Sequence, residues 1–155
     1  MKLSEHLTIK EVTKSATATR LGISNEPTIA HLEALKCVAR DIFEPVRKHF
    51  NVPIAVTSGY RSKELNDAIK GSPRSQHCHG QALDIDADVY GGVTNAEVFY
   101  YIKNHLNFDQ LIWEFGTDEE PAWVHVSHVD DGATNRGEVL KAYKDGGRTK
   151  YKKFK

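Results

Sequence analysis

Residues 75–87 read SQHCHGQALDIDA, a histidine-rich polar stretch that runs straight into an alternating segment. From Ala82 to Ala87 the pattern has the period of a β-strand, with Leu83 and Ile85 on one face and Ala82, Asp84 and Asp86 on the other. The apolar face is expected to meet a core. The acidic face is then left looking into a cleft, with Gly80 allowing a sharp turn just before the strand. Upstream, Gly71-Ser72-Pro73-Arg74-Ser75 has the composition of a loop.

Working outward, Leu32, Leu35, Val38, Ala39, Ile42, Phe43, Val46 and Phe50 recur at three- and four-residue steps, which predicts an amphipathic helix from Pro27 to Phe50. Pro27 suits its first turn, and Pro45 predicts a kink or a final irregular turn because it lacks a backbone donor. VPIAVT at 52–57 is rich in β-branched residues and predicts a strand ended by Ser58-Gly59. A short helix is expected from Ser62 to Ile69 with Ser62 as its cap, and another after Thr94, running to about Leu106. Gln110–Phe115 and Trp123–Val129 predict two more strands, joined by the acidic loop 116–121. The irregular loops do not fit a repeating βαβ unit. An α+β domain is expected, with a small antiparallel sheet and flanking helices.

With 155 residues the chain suits one domain, 1–155, able to bury its own core as a monomer. Its 21 Lys and Arg balance 21 Asp and Glu, so no bulk polycation for nucleic acid is present. No apolar run is long enough to insert in a membrane, and MKLSEHLTIKEV carries charges where a signal peptide would be apolar. The chain is expected to be cytoplasmic as synthesised. Only Cys37 and Cys78 could form a disulfide, which is no framework. The neutral total hides an asymmetry: the tail 136–155 holds eight Lys or Arg and two acids, which leaves 13 bases and 19 acids before it. That tail is read as a solvated end, or less readily as an attachment to an anionic wall polymer.

His77 and Asp84 offer an imidazole nitrogen and a carboxylate oxygen, both suitable ligands for zinc, and the small Ala82 beside Asp84 leaves room for an ion. A catalytic zinc usually takes a third protein ligand. The segment Trp123-Val124-His125-Val126-Ser127-His128 is the expected source. If its valines face the core, alternation turns His125 to the cleft and His128 away from it. His79 and His128 are accordingly read as supporting or exposed residues. Cys78 has nothing nearby that would complete a cysteine hydrolase.

Ser75-x-His77-x-x-Gly80-x-Ala82-x-Asp84, followed by Trp123-Val124-His125-Val126-Ser127 and preceded by Ser58-Gly59-Tyr60-Arg61-Ser62, resembles the M15 family of zinc peptidases over roughly residues 28–130. The resemblance implies the fold shared by the hedgehog signalling domain and D-Ala-D-Ala peptidases. It also implies one Zn2+ ion held by His77, Asp84 and His125, a glutamate as general base, and peptidoglycan peptides as substrate. Arg61 is by resemblance the residue that binds substrate and stabilises charge on the carbonyl oxygen, a role that suits a planar guanidinium. Ser75 resembles a substrate-contacting serine near the metal.

In several branches the acidic residue lies three positions before the second histidine, but here that position is Ala122. Glu114, at the end of the strand from Gln110, resembles the glutamate of a QLIxE segment and is the expected base, with Asp118, Glu119 and Glu120 as competitors in the loop. Carboxypeptidase and endopeptidase remain open. So does a non-catalytic, zinc-containing wall-binding module. A phage or prophage lysin would reconcile an unexported chain with a substrate outside the membrane.

Overall fold

The computed structural model describes residues 1–129 and 135–155. The expected core limit at residue 130 falls just outside them. The chain opens with a β-pair, β1 (Lys2–Ser4) and β2 (Leu7–Thr8), and two short helices, α1 (Ile9–Thr13) and α2 (Ala16–Leu21). None of these was expected from the sequence, yet Leu3, Leu7 and Val12 are buried in the main core.

The long helical pattern is realised as α3 (Ile29–Val38), a widened π turn (Ala39–Phe43) and α4 (Glu44–Phe50). Thr28 caps it, accepting from the His31 amide, so Pro27 lies before the cap and not in the first turn. Pro45 does not end the helix. Glu44 N–H instead bonds to Ala39 O, five residues back, so the irregularity comes one turn early and the helix runs on to a left-handed Asn51. β3 is Ala55–Ser58, shorter at its start than the expected 52–57, because Pro53 has no N–H to give a ladder. Helix α5 (Lys63–Ala68) is capped by Ser62 as expected.

A single 3-10 turn, Gln76–His79, leads into β4 (Ala82–Asp86). Helix α6 (Asn95–His105) starts at Thr94 with a capping box closed by Glu97. β5 (Gln110–Glu114) and β6 (Trp123–Ser127) follow.

The tail corrects its reading as a solvated end. It forms β7 (Glu138–Asp145) and β8 (Arg148–Lys153), and the strand order of the main sheet is β3-β4-β6-β5-β7-β8. The turn between them has Gly146 and Gly147 both at positive φ, 59° and 78°, which a two-residue hairpin with the sheet's twist requires. All pairs in this sheet are antiparallel except β5 with β7. The α+β class stands, on a sheet enlarged by the tail.

The two faces of the sheet have different tasks. Leu83, Ile85, Leu111, Trp113, Val124 and Val126 pack into the core with residues of α3, α4 and α6, such as Leu35, Val46 and Phe99. Phe154, just past β8, closes that core, its ring 4.7 Å from Phe99 and 5.4 Å from Trp113 between centroids. Asp84, His125, Ile112 and Glu114 point to the other side. Phe154→Ala is expected to cost about 1–2 kcal/mol in denaturant unfolding, because the ring is only partly buried. Its amide exchange should rise in β8 before β4, whereas equal protection in both strands would show that the hairpin does not depend on this ring.

Candidate metal centre

Asp84 sits on β4 directly opposite His125 of β6, and Ser58 of β3 faces Asp84 from the other side. The third residue comes from the 3-10 turn, whose end is fixed by Gly80. There φ is +71°, and a Cβ would lie 2.6 Å from the carbonyl oxygen of His31, so only glycine fits. This close approach brings His77 back over the start of β4.

His77 Nε2 lies 3.2 Å from Asp84 Oδ1, and His125 Nδ1 lies 3.0 Å from the same oxygen. Each offers one ligand atom, and the three atoms are all within 4.8 Å of one another. Ligands of one tetrahedral zinc, with bonds of about 2.0–2.1 Å, would stand roughly 3.3 Å apart. The donor chemistry fits a cation too. The other nitrogen of His77, Nδ1, is 2.6 Å from Gly59 O and must donate to it, since a carbonyl only accepts. In the neutral ring Nε2 therefore carries a lone pair and faces an anionic oxygen. Two acceptors meet that closely only with a positive charge between them, either a proton or a metal ion. The Gly59 bond also fixes the tautomer that presents Nε2 to a metal.

His77 and His125 are buried, and the Asp84 side chain is 16% exposed. Burial alone would raise Asp84. The two imidazoles outweigh it and hold the carboxyl far below the usual carboxylate range. Glu114 behaves in the opposite way. Its burial, aided by the charge of Asp84 and opposed by His125, pushes its pKa up to about 7.

All four of these residues line one cleft of about 740 Å³, together with Arg61, Ser75, Ile112, Trp123 and residues of the tail. Arg61 donates from Nη2 to Ser75 Oγ at 3.2 Å, and its backbone N–H bonds to His77 O. Its buried Nε has no acceptor among the described residues, which leaves donor capacity for a ligand. Ser75 Oγ also caps the turn that carries His77.

Two of the loop carboxylates are occupied elsewhere. Asp118 pairs with Lys141 and Glu120 accepts from the Ala96 amide at the start of α6, while none of Asp118, Glu119 and Glu120 lines the cleft. His128 faces away, bonded to Asp41, and His79 is exposed. Burial pushes the Cys78 thiol up, against thiolate chemistry. A second cluster, Glu5, His6 and Glu44, has its carboxylate already satisfied: Glu44 Oε1 accepts from Ser4 Oγ and the His6 amide, and Oε2 meets His6 Nδ1. It staples the first β-pair to α4.

Leu140, Thr149, Tyr151 and Arg136 of the tail also line the cleft, and no role for them was expected. The signal was present in Asp145-Gly146-Gly147, a hairpin turn, flanked by alternation that the lysines disguise. Arg136 grips Asp109 through Nε and Nη2, and Asp109 in turn accepts from Gln76 in the 3-10 turn. The start of the tail is thereby tied to the segment that carries His77.

The family model described as Peptidase M15 matches residues 5–127. Arg61, Ser75, His77, Asp84, Glu114 and His125 all lie inside that stretch, and β7 and β8 lie beyond it. No curated protein matches the sequence.

Because folding raises the Glu114 pKa from 4.5 to about 7, the metal-free folded state keeps a proton that the unfolded chain releases in this range. Stability from this group therefore falls as pH rises from about 4.5 to about 7. Glu114→Gln, which does not titrate, should gain on wild type across that window by ~1–3 kcal/mol in metal-free unfolding experiments. A pH-independent difference would remove Glu114 as the group responsible.

Proposed function

The chain belongs to the peptidase M15 family, and on that premise we propose that it hydrolyses peptide bonds of peptidoglycan with one zinc ion held by His77, Asp84 and His125. The observation that carries the reading is the pairing of this three-ligand set with a buried carboxyl, Glu114, in one cleft. Zinc in such a site supplies a Lewis acid that acidifies water and polarises a carbonyl.

The chain's own residues supply the remaining chemistry. Glu114 is the general base: its carboxylate, in the same cleft as the three ligands, takes a proton from the attacking water and returns it to the leaving amine. Arg61 holds the substrate and stabilises the negative charge that grows on the carbonyl oxygen, using the donors that Ser75 does not take. Ser75 keeps the guanidinium in place and caps the turn that holds His77. His77 donates its Nδ1–H to Gly59 O, which leaves Nε2 to face the metal.

A retained acid in the cleft favours an enzyme over a non-catalytic wall-binding module. Carboxypeptidase and endopeptidase actions use the same centre and differ in whether Arg61 meets a terminal carboxylate or a chain carbonyl. No helix among the described residues is long and apolar enough to cross a membrane.

Digestion of purified peptidoglycan, followed by mass spectrometry of the fragments, tests the proposal and names the bond from its new termini. A chelator should abolish release and added Zn2+ restore it. Glu114→Ala should keep its zinc and lose at least about 100-fold in kcat, and full activity in metal-free protein would refute the mechanism. Arg61→Lys keeps the charge but not the fork of donors, so kcat/KM is expected to fall by about 10-fold or more. Unchanged kcat/KM would leave Arg61 as a structural residue only.

A further inference from the structure

The register places Glu114 opposite Ala142 in the parallel β5–β7 pair, and Ala142 opposite Tyr151 in the β7–β8 pair. Glu114, Ala142 and Tyr151 therefore form one row across three strands on the cleft face. The middle position is an alanine, so no bulky side chain stands between the carboxyl and the phenol. Two strand spacings, roughly 10 Å of backbone, separate them, a gap that the two side chains bridge from either side.

Tyr151 lines the same cleft as His77, Asp84, Glu114 and His125. The phenol is 54% exposed, and its hydroxyl has no hydrogen-bond partner among the described residues. Burial of part of the ring and the charges of Glu114 and Asp84 raise its pKa, which keeps the proton on the oxygen and so preserves a donor.

The pattern of β8 sharpens this. Of β8, Thr149 and Tyr151 line the cleft and carry neutral hydroxyls, whereas Lys153, next on the same face, does not line it. A cation at 151 would pair with Glu114 and suppress its action as a base. A half-exposed tyrosine on an edge strand is commonplace. One in register with Glu114 across a single alanine is not.

We propose that Tyr151 contacts the peptide substrate, its hydroxyl donating to a carbonyl oxygen beside the scissile bond, so that the β7–β8 hairpin is the wall of the substrate cleft across from Arg61. The inference rests on the peptidase reading above and extends it to a part of the chain that the family match does not cover.

The test compares wild type, Tyr151→Phe, Tyr151→Ala and, as a control on the other face of the hairpin, Tyr143→Phe. Two readouts are needed: kcat/KM on purified muropeptides, cross-linked and uncross-linked, and calorimetric affinity for the same muropeptides in a Glu114→Gln background that does not turn over. Tyr151→Phe should lose about 5-fold in both for one neutral hydrogen bond, and Tyr151→Ala at least as much. Melting temperature and zinc content should stay at wild-type values, as should everything in Tyr143→Phe. An active wild type with kcat/KM and affinity unchanged in Tyr151→Phe overturns this inference alone. A wild type that neither cleaves nor binds the muropeptides overturns the peptidase reading and this inference together.

Discussion

One carboxylate oxygen, Asp84 Oδ1, faces two imidazole nitrogens within 3.0–3.2 Å. The surrounding structure can be understood as what makes that contact tolerable. A buried anion is costly unless it is paired. Here the pairing requires β4 and β6 to be neighbours in register, Gly80 to fold the preceding turn back, and Gly59 O to accept a hydrogen bond from His77 Nδ1–H. Each requirement is met by backbone, not by mobile side chains. The site is held on the sheet, where geometry is most reproducible.

The same sheet explains why Glu114 and Asp84, two carboxyls in one cleft, are in opposite protonation regimes. Asp84 has both imidazoles against it and stays ionised, whereas Glu114, further along the cleft face, has burial and the charge of Asp84 to contend with. Environments that drive two acids apart in this way suit them to different roles. A cation bound between the imidazoles and Asp84 would favour the ionised form of Glu114.

Much of this was legible in the sequence because the informative residues are close in sequence or on strands with a strict period. Alternation alone turned His125 to the cleft and left Val124 and Val126 to the core, and the strand carries them that way. The capping residues Ser62 and Thr94 acted locally, so they too could be read. Other features depend on partners far away in the chain. The first β-pair contains few residues, and what makes it form is Glu44, about forty positions on. Pro45 was a breaker by local rules, yet the widened turn before it absorbed the missing donor. The tail was hidden by its composition, since a run of lysines is usually a solvated face, and its parallel pairing with β5 has no local signature.

The opposed charges of body and tail acquire a different meaning once the tail is a pair of strands. Arg136 on Asp109 and Lys141 on Asp118 set tail cations directly against body carboxylates. The Lys141 pair is exposed and adds little stability. The Arg136 pair is different: Asp109 is buried, it receives three Arg136 donors, and it also holds Gln76 beside His77. An unpaired Asp109 would leave a buried charge next to the site. The start of the tail thus neutralises the body where the turn carrying His77 needs it, while its end supplies the neutral phenol that faces Glu114. The tail both braces the cleft, through Arg136, and lines it, through Leu140, Thr149 and Tyr151, so it belongs to the construction of the site and not to its surroundings.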